Sequence, residues 1–98
     1  MTTQRQAGAF IASRTPFAAS ALRGIIEDDR YSFDRMRADE REAMLDALRR
    51  EEVDYIVLSY LTPIAYHTTT DGWILCERKH PATTSRHTNI VRRAISHD

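Results

Sequence analysis

Two short polar segments hold the side chains best suited to chemistry. Thr83-Thr84-Ser85-Arg86-His87 places three hydroxyls, a guanidinium and an imidazole in five consecutive residues. At a helix start, hydroxyls and unpaired backbone N–H groups beside an arginine make an anion or phosphate site. The same residues also serve as a plain helix cap. The second segment is Ser59-Tyr60-Leu61-Thr62-Pro63-Ile64. Its hydroxyls flank a proline that cannot donate to a strand ladder and so marks an edge, kink or bulge. Polar side chains beside such a kink line a groove or satisfy local backbone groups. The binding candidates are therefore Tyr60, Thr62, Thr84, Ser85, Arg86 and His87.

Other chemistries have weaker support. His67, Cys76, His80 and His87 carry metal-binding atoms, but their spacing matches no zinc signature, so no metal and no cofactor is expected. Cys76 and His67 could face each other across a hairpin as a nucleophile and its base. Cys76 lies in an apolar run, where an inert thiol is the default. General acid–base work by Arg86 and His87 is a further alternative. No catalytic residue is assigned. Arg78, Lys79, Arg86, Arg92 and Arg93 concentrate positive charge near the C-terminal end and form an alternative nucleic-acid surface.

The bulk composition narrows the setting. Ninety-eight residues suit one domain, 1–98, with a small core and little spare apolar material for a deep pocket. A net charge of zero argues against a uniform nucleic-acid binder. The charge is nevertheless uneven. Residues 1–26 hold Arg5, Arg14 and Arg23 and no acid, whereas residues 27–54 hold eleven acids against six arginines. No apolar run approaches the ~20 residues of a membrane helix. Cys76 is the single cysteine, which precludes an internal disulfide and favours a cytosol-like compartment. The acid-free N-terminal stretch reads as a basic arm plus a first structured segment rather than as a transit peptide.

These residues need elements to hold them. Residues 1–6 read as a disordered arm. Ala9–Ala12 suggests a short strand, and Ala18–Ile26 a short helix or an irregular loop. Asp39 and Glu42 have capping-box spacing, and Ala43, Met44, Ala47 and Leu48 share one face. Acids lead and arginines trail, which complements the helix dipole over about 39–51. Strands are expected at about 53–60, 63–69 and 73–78, the first covered on both faces. Asp71-Gly72 predicts a two-residue hairpin turn that sets Thr70 opposite Trp73 and His67 opposite Cys76. Thr83 or Thr84 caps a last helix at about 84–96. The fold class is α+β: a small twisted antiparallel sheet with a central β-hairpin and two main helices packed on one face. Open sheet edges make a homodimer plausible.

Several segments resemble a known family. Asp54-Tyr55-Ile56-Val57, Ser59-Tyr60-x-Thr62-Pro63-Ile64-Ala65-Tyr66, Asp71-Gly72-Trp73 and Thr83-Thr84-Ser85-Arg86-His87 occur in that order. With Thr15-Pro16-Phe17-Ala18-Ala19 near the start, they resemble a family of small uncharacterised proteins from phages of actinobacteria, mycobacteriophages especially. Lys79-His80-Pro81 departs from that pattern, where Tyr-Ser is more usual after the basic residue. The resemblance implies a phage protein in the cytoplasm of the bacterial host and names no reaction. The expected function is a non-enzymatic binding module acting on a host protein, with a possible effect on host growth. The alternatives are a nucleic-acid-binding phage regulator and a small enzyme acting on a phosphate-containing substrate.

Overall fold

The structure is a computed structural model that describes residues 4–19, 21–26, 37–60, 62–76 and 82–95. Its described elements, in chain order, are α1 (Gln4–Ala12), β1 (Phe17–Ala19), β2 (Leu22–Ile25), α2 (Ala38–Arg49), β3 (Val53–Ser59), β4 (Thr62–Thr68), β5 (Gly72–Leu75) and α3 (Ala82–Ile95). The strands form one sheet in the order β1-β2-β3-β4-β5, and every neighbouring pair is antiparallel. This is the α+β architecture that the residue pattern implies. The acidic segment 27–30 and the turn expected at 33–36 lie outside the described residues.

β3 is the centre of the sheet and its period explains both layers. Tyr55 and Val57 join one buried cluster with Ala7 and Ile11 of α1 and Val91 and Ala94 of α3. Ile56 and Leu58 join another with Met44 and Ala47 of α2. Successive strand side chains point to opposite faces, so one strand feeds two cores. The expectation that both main helices share a face is thereby corrected. α3 packs with α1 on one face, and α2 covers the other.

The first 26 residues are also rearranged relative to expectation. Ala9–Ala12 completes α1, which starts at Gln4 within the stretch read as a disordered arm. Ala18–Ile26 supplies parts of β1 and all of β2 rather than a helix. Ala18 pairs with Arg23, and Gly24 with both Phe17 and Val57, so the weak strand formers Ala18 and Gly24 are held by the sheet they join. Gly24 has a specific reason to lack a side chain. A Cβ there would lie 1.9 Å from the Tyr55 hydroxyl and 2.6 Å from the Phe17 ring. The Tyr55 phenol crosses that gap and donates to the Thr15 carbonyl at 2.8 Å.

The hairpin register differs from the simple Asp-Gly turn. Thr68 pairs with Gly72 and His67 with Trp73, leaving Thr69-Thr70-Asp71 as the loop. The Asp71 N–H donates to Thr68 Oγ1 at 2.8 Å, and Gly72 takes the positive φ of 76°. The clamp from Thr68 lengthens the loop by one residue, and no two-residue turn forms. The hairpin ends at the sheet margin, with β5 as an outer strand. Cys76 lies beyond β5, on the α2 face, and the proposed His67–Cys76 opposition does not occur.

α2 begins one residue before Asp39, with Arg37 in the N-cap position and no side-chain capping bond. Asp39 instead pairs with Arg37 at 3.2 Å. α3 begins at Ala82, so Thr83 and Thr84 fall inside the first turn rather than before it.

Candidate functional site

Both polar motifs end up on the face that carries α1 and α3. Ser59 closes β3, Thr62 opens β4, and the two pair across the turn. Ser59 Oγ lies 2.7 Å from His87 Nδ1 of α3, and both residues are buried, at 1% and 0% exposure. The hydroxyl can give or take a proton, so it satisfies either tautomer of the ring. Tyr60 stands over this pair with its ring 6.0 Å from the imidazole. Its φ is 50°, its N–H donates to the Ala21 carbonyl at 3.0 Å, and 56% of the residue is exposed.

Tyr60, Thr62 and His87 are thus brought together, with Ser59 as the residue that joins the motifs. Thr84, Ser85 and Arg86 belong to the first turns of α3, and their side chains lie outside the described ones. Arg78, Lys79 and His80 lie outside the described residues altogether. Arg92 and Arg93 are exposed on the last turns of α3.

A second polar cluster occupies the other end of β3 on the same face. Val53 pairs with Thr68 and Tyr55 with His67, so Asp54 is an extra residue, a β-bulge. The bulge brings Asp54 Oδ1 to 2.7 Å from His67 Nδ1. Arg14 Nη1 lies 3.5 Å from His67 Nε2, at the long limit of a hydrogen bond. Trp73, the cross-strand partner of His67, meets the imidazole edge-on at 5.3 Å.

Arg14 is placed by the end of α1. The Thr15 N–H reaches the Phe10 carbonyl and the Arg14 N–H reaches the Ile11 carbonyl, the double bond of a Schellman ending. Arg14 takes the left-handed position with φ 54°, where glycine is the usual occupant. Glu51 does the same after α2, with φ 57°. Tyr60 differs from both because it follows a strand rather than a helix.

The sequence reading missed Arg14 and Asp54 as site residues. The signal for Asp54 was a lone acid inside an otherwise apolar strand. Arg14 carried none, since only the tertiary fold joins residues 14 and 67.

The α2 face offers different chemistry. A cavity of about 190 Å³ is lined there by Asp39, Glu40, Ala43, Tyr66, Ile74 and Cys76. Burial pushes the Cys76 thiol up to about 12, with the Glu40 carboxylate adding to it. A protonated, buried thiol is a poor nucleophile, and it faces away from His67. Burial likewise pushes the Tyr66 phenol up to about 12. Among the described residues, no three His, Cys, Asp or Glu side chains converge to hold a metal ion. No described helix is long and apolar enough to cross a membrane.

The model of a protein family of unknown function, DUF8033, matches residues 11–94. The chain belongs to this family. The matched range runs from within α1 to near the end of α3, so the DUF8033 region contains both histidine clusters and the whole sheet. No curated protein and no solved structure matches the chain.

Proposed function

We propose that this DUF8033 protein is a phage accessory protein that works without catalysis, binding a host protein in the host cytoplasm through the corner around Tyr60. The observation that carries this reading is the setting of Tyr60 itself. A left-handed backbone favours glycine or asparagine, and a non-glycine residue there costs about 1 kcal/mol. More than half of the residue is exposed at 56%, so burial returns little of that cost. Neither backbone preference nor core packing accounts for a tyrosine at this position. An aromatic anchor for a partner does, since tyrosine offers large contact area with a polar tip. The Ala21 carbonyl and the His87 ring hold it in place before any partner arrives, which reduces the entropy lost on binding.

The phage assignment draws on the quoted motifs. The enzyme alternative is disfavoured because the His87 ring is fully buried and its Nδ1 is engaged by Ser59. A substrate would reach it only after α3 lifts from the sheet. The nucleic-acid alternative draws on exposed Arg92 and Arg93, and it requires binding that strengthens as salt falls.

The Tyr60→Gly variant separates function from fold. The expected outcome is stability equal to or about 1 kcal/mol above the native chain in urea titrations, with loss of a specific partner from host lysate and loss of any effect of expression on host growth. A variant that keeps its partner and its growth effect would overturn the reading. Salt-dependent binding of random duplex by both proteins would favour the regulator instead.

A further inference from the structure

We infer that Arg14 and His67 form a receptor for a small oxyanion, the terminal oxygens of a phosphate or a carboxylate, with Asp54 and Trp73 as positioning residues. The argument starts from the proton on His67. An ionised carboxylate only accepts hydrogen bonds, so Nδ1, 2.7 Å from Asp54 Oδ1, carries its hydrogen. In the neutral ring Nε2 then has only a lone pair, and it accepts a long bond from Arg14 at 3.5 Å. In the imidazolium, Nε2 becomes a second donor facing the guanidinium. Two donors that converge on one point call for an acceptor with more than one lone pair and negative charge. An oxyanion offers one oxygen to Nε2–H and another to the guanidinium.

Three further observations fit this arrangement. The imidazole and the backbone that carries the guanidinium are fixed without the ligand. The Arg14 backbone is set by the Schellman ending, and the adjoining Thr15 carbonyl is anchored by the Tyr55 phenol. The imidazole is set by the bulged Asp54 and by the edge contact with Trp73. The site is open, since Arg14 is exposed and the His67 side chain retains 16% exposure. Trp73 Nε1 is buried with no acceptor among the described residues. Buried donors are nearly always satisfied by protein, water or ligand. Among the described residues, Arg14 and Asp54 are the charged groups in contact with the imidazole, and of these Asp54 opposes an anion. Its Oδ1 is turned to Nδ1, so it orients the ring that receives the ligand.

Trp73 is the single tryptophan, and its emission therefore reports on this site alone. The experiment titrates inorganic phosphate, and separately acetate, into the full chain at constant ionic strength and pH 6. The expected result is a saturable change in emission, weakened about tenfold or more in Arg14→Gln, whose circular dichroism and melting match the native chain. Tighter binding of phosphate assigns the receptor to phosphoryl groups, and tighter binding of acetate assigns it to carboxylates. An unsaturable response to both anions would overturn the inference, as would an equal response in a folded Arg14→Gln. If Arg14→Gln does not fold, the His67 ring resonances of the native chain decide. They must shift with the bound anion and stay unmoved by equal chloride.

Discussion

The two described histidines lie on the sheet's α1/α3 face, sit at opposite ends of β3 and are built in opposite ways. His87 reaches the sheet from a helix, is wholly buried, and spends a ring nitrogen on Ser59. His67 belongs to the sheet, keeps partial exposure, and is held between a carboxylate and a guanidinium. The first uses its polarity to fix α3 against β3. The second holds its polarity at the surface, where a ligand can use it. A histidine's burial and its partners therefore say more about its role than the motif that contains it. The conspicuous Thr-Thr-Ser-Arg-His segment delivers the structural histidine, and an unremarkable strand residue delivers the reachable one.

The comparison can be broken most forcefully at Gly24. A methyl group there collides with the Tyr55 phenol, which must leave the gap and release the Thr15 carbonyl. Gly24→Ala is expected to cost about 3 kcal/mol, measured by urea unfolding, through overpacking and a lost buried bond. Ring resonances of His67 should move in the folded fraction while those of His87 hold still. Equal movement of both would show that the two ends are not independent.

His87→Ala tests the other end. Removing a buried ring leaves a cavity and takes away the bond to Ser59, at a cost of about 2 kcal/mol. The same truncation at His67 is expected to cost less than half as much. Similar losses would erase the distinction drawn here.

The smallest effect locates the distinction on one face. Cys76 and Tyr66 lie on the α2 face, both raised to about 12 by burial. Their protons are held more tightly in the folded chain than in the unfolded one. Their contribution is complete below the unfolded values near 9 and 10 and is lost as pH rises toward 12. Stability should begin to fall above pH 9, by about 1 kcal/mol over the first pH unit. The fall should be unaltered in His67→Gln. Over pH 9–10 the Cys76 thiol dominates the slope, and a change there in that variant would tie the two faces together; above pH 10 the Tyr55 phenol of the α1/α3 face, also raised by burial, adds to the fall.

Much of this was readable in the residues. The helix at Ala38–Arg49 announced itself through leading acids, trailing arginines and a clear apolar stripe. β3 was readable because Tyr55-Ile56-Val57-Leu58 is branched, aromatic and buried on both sides. Pro63 foretold an edge, kink or bulge, and it is the bulge that forms, with Ile64 the extra residue between Pro63 and Ala65. The N-terminal third was misread for a physical reason. Four apolar residues at Ala9–Ala12 fit either period, and Ala18, Ala19 and Gly24 have little strand preference of their own. Gly24 is held by Val57 and α1 by α3, both far along the chain, while Ala18 and Ala19 pair with β2, itself anchored on β3. The same limit hid the His67 cluster, because a one-residue bulge and a contact across 53 positions leave no local trace. The join between Ser59 and His87 was half visible, since both motifs flank the hairpin that brings them together.

The strand order carries a consequence for how the chain assembles. Three of the four strand pairings join neighbours across a short turn: β1 with β2, β3 with β4, and β4 with β5. Short loops close at small entropic cost and quickly. The β2–β3 pairing is different, because residues 26–52 separate the two strands. During synthesis α1 and the first hairpin emerge before the β3 and α3 surfaces that complete their core. Their apolar side chains wait until β3 and α3 have been made. β3, which carries Asp54 at one end and Ser59 at the other, is thus the seam along which an early half and a late half of the molecule are closed.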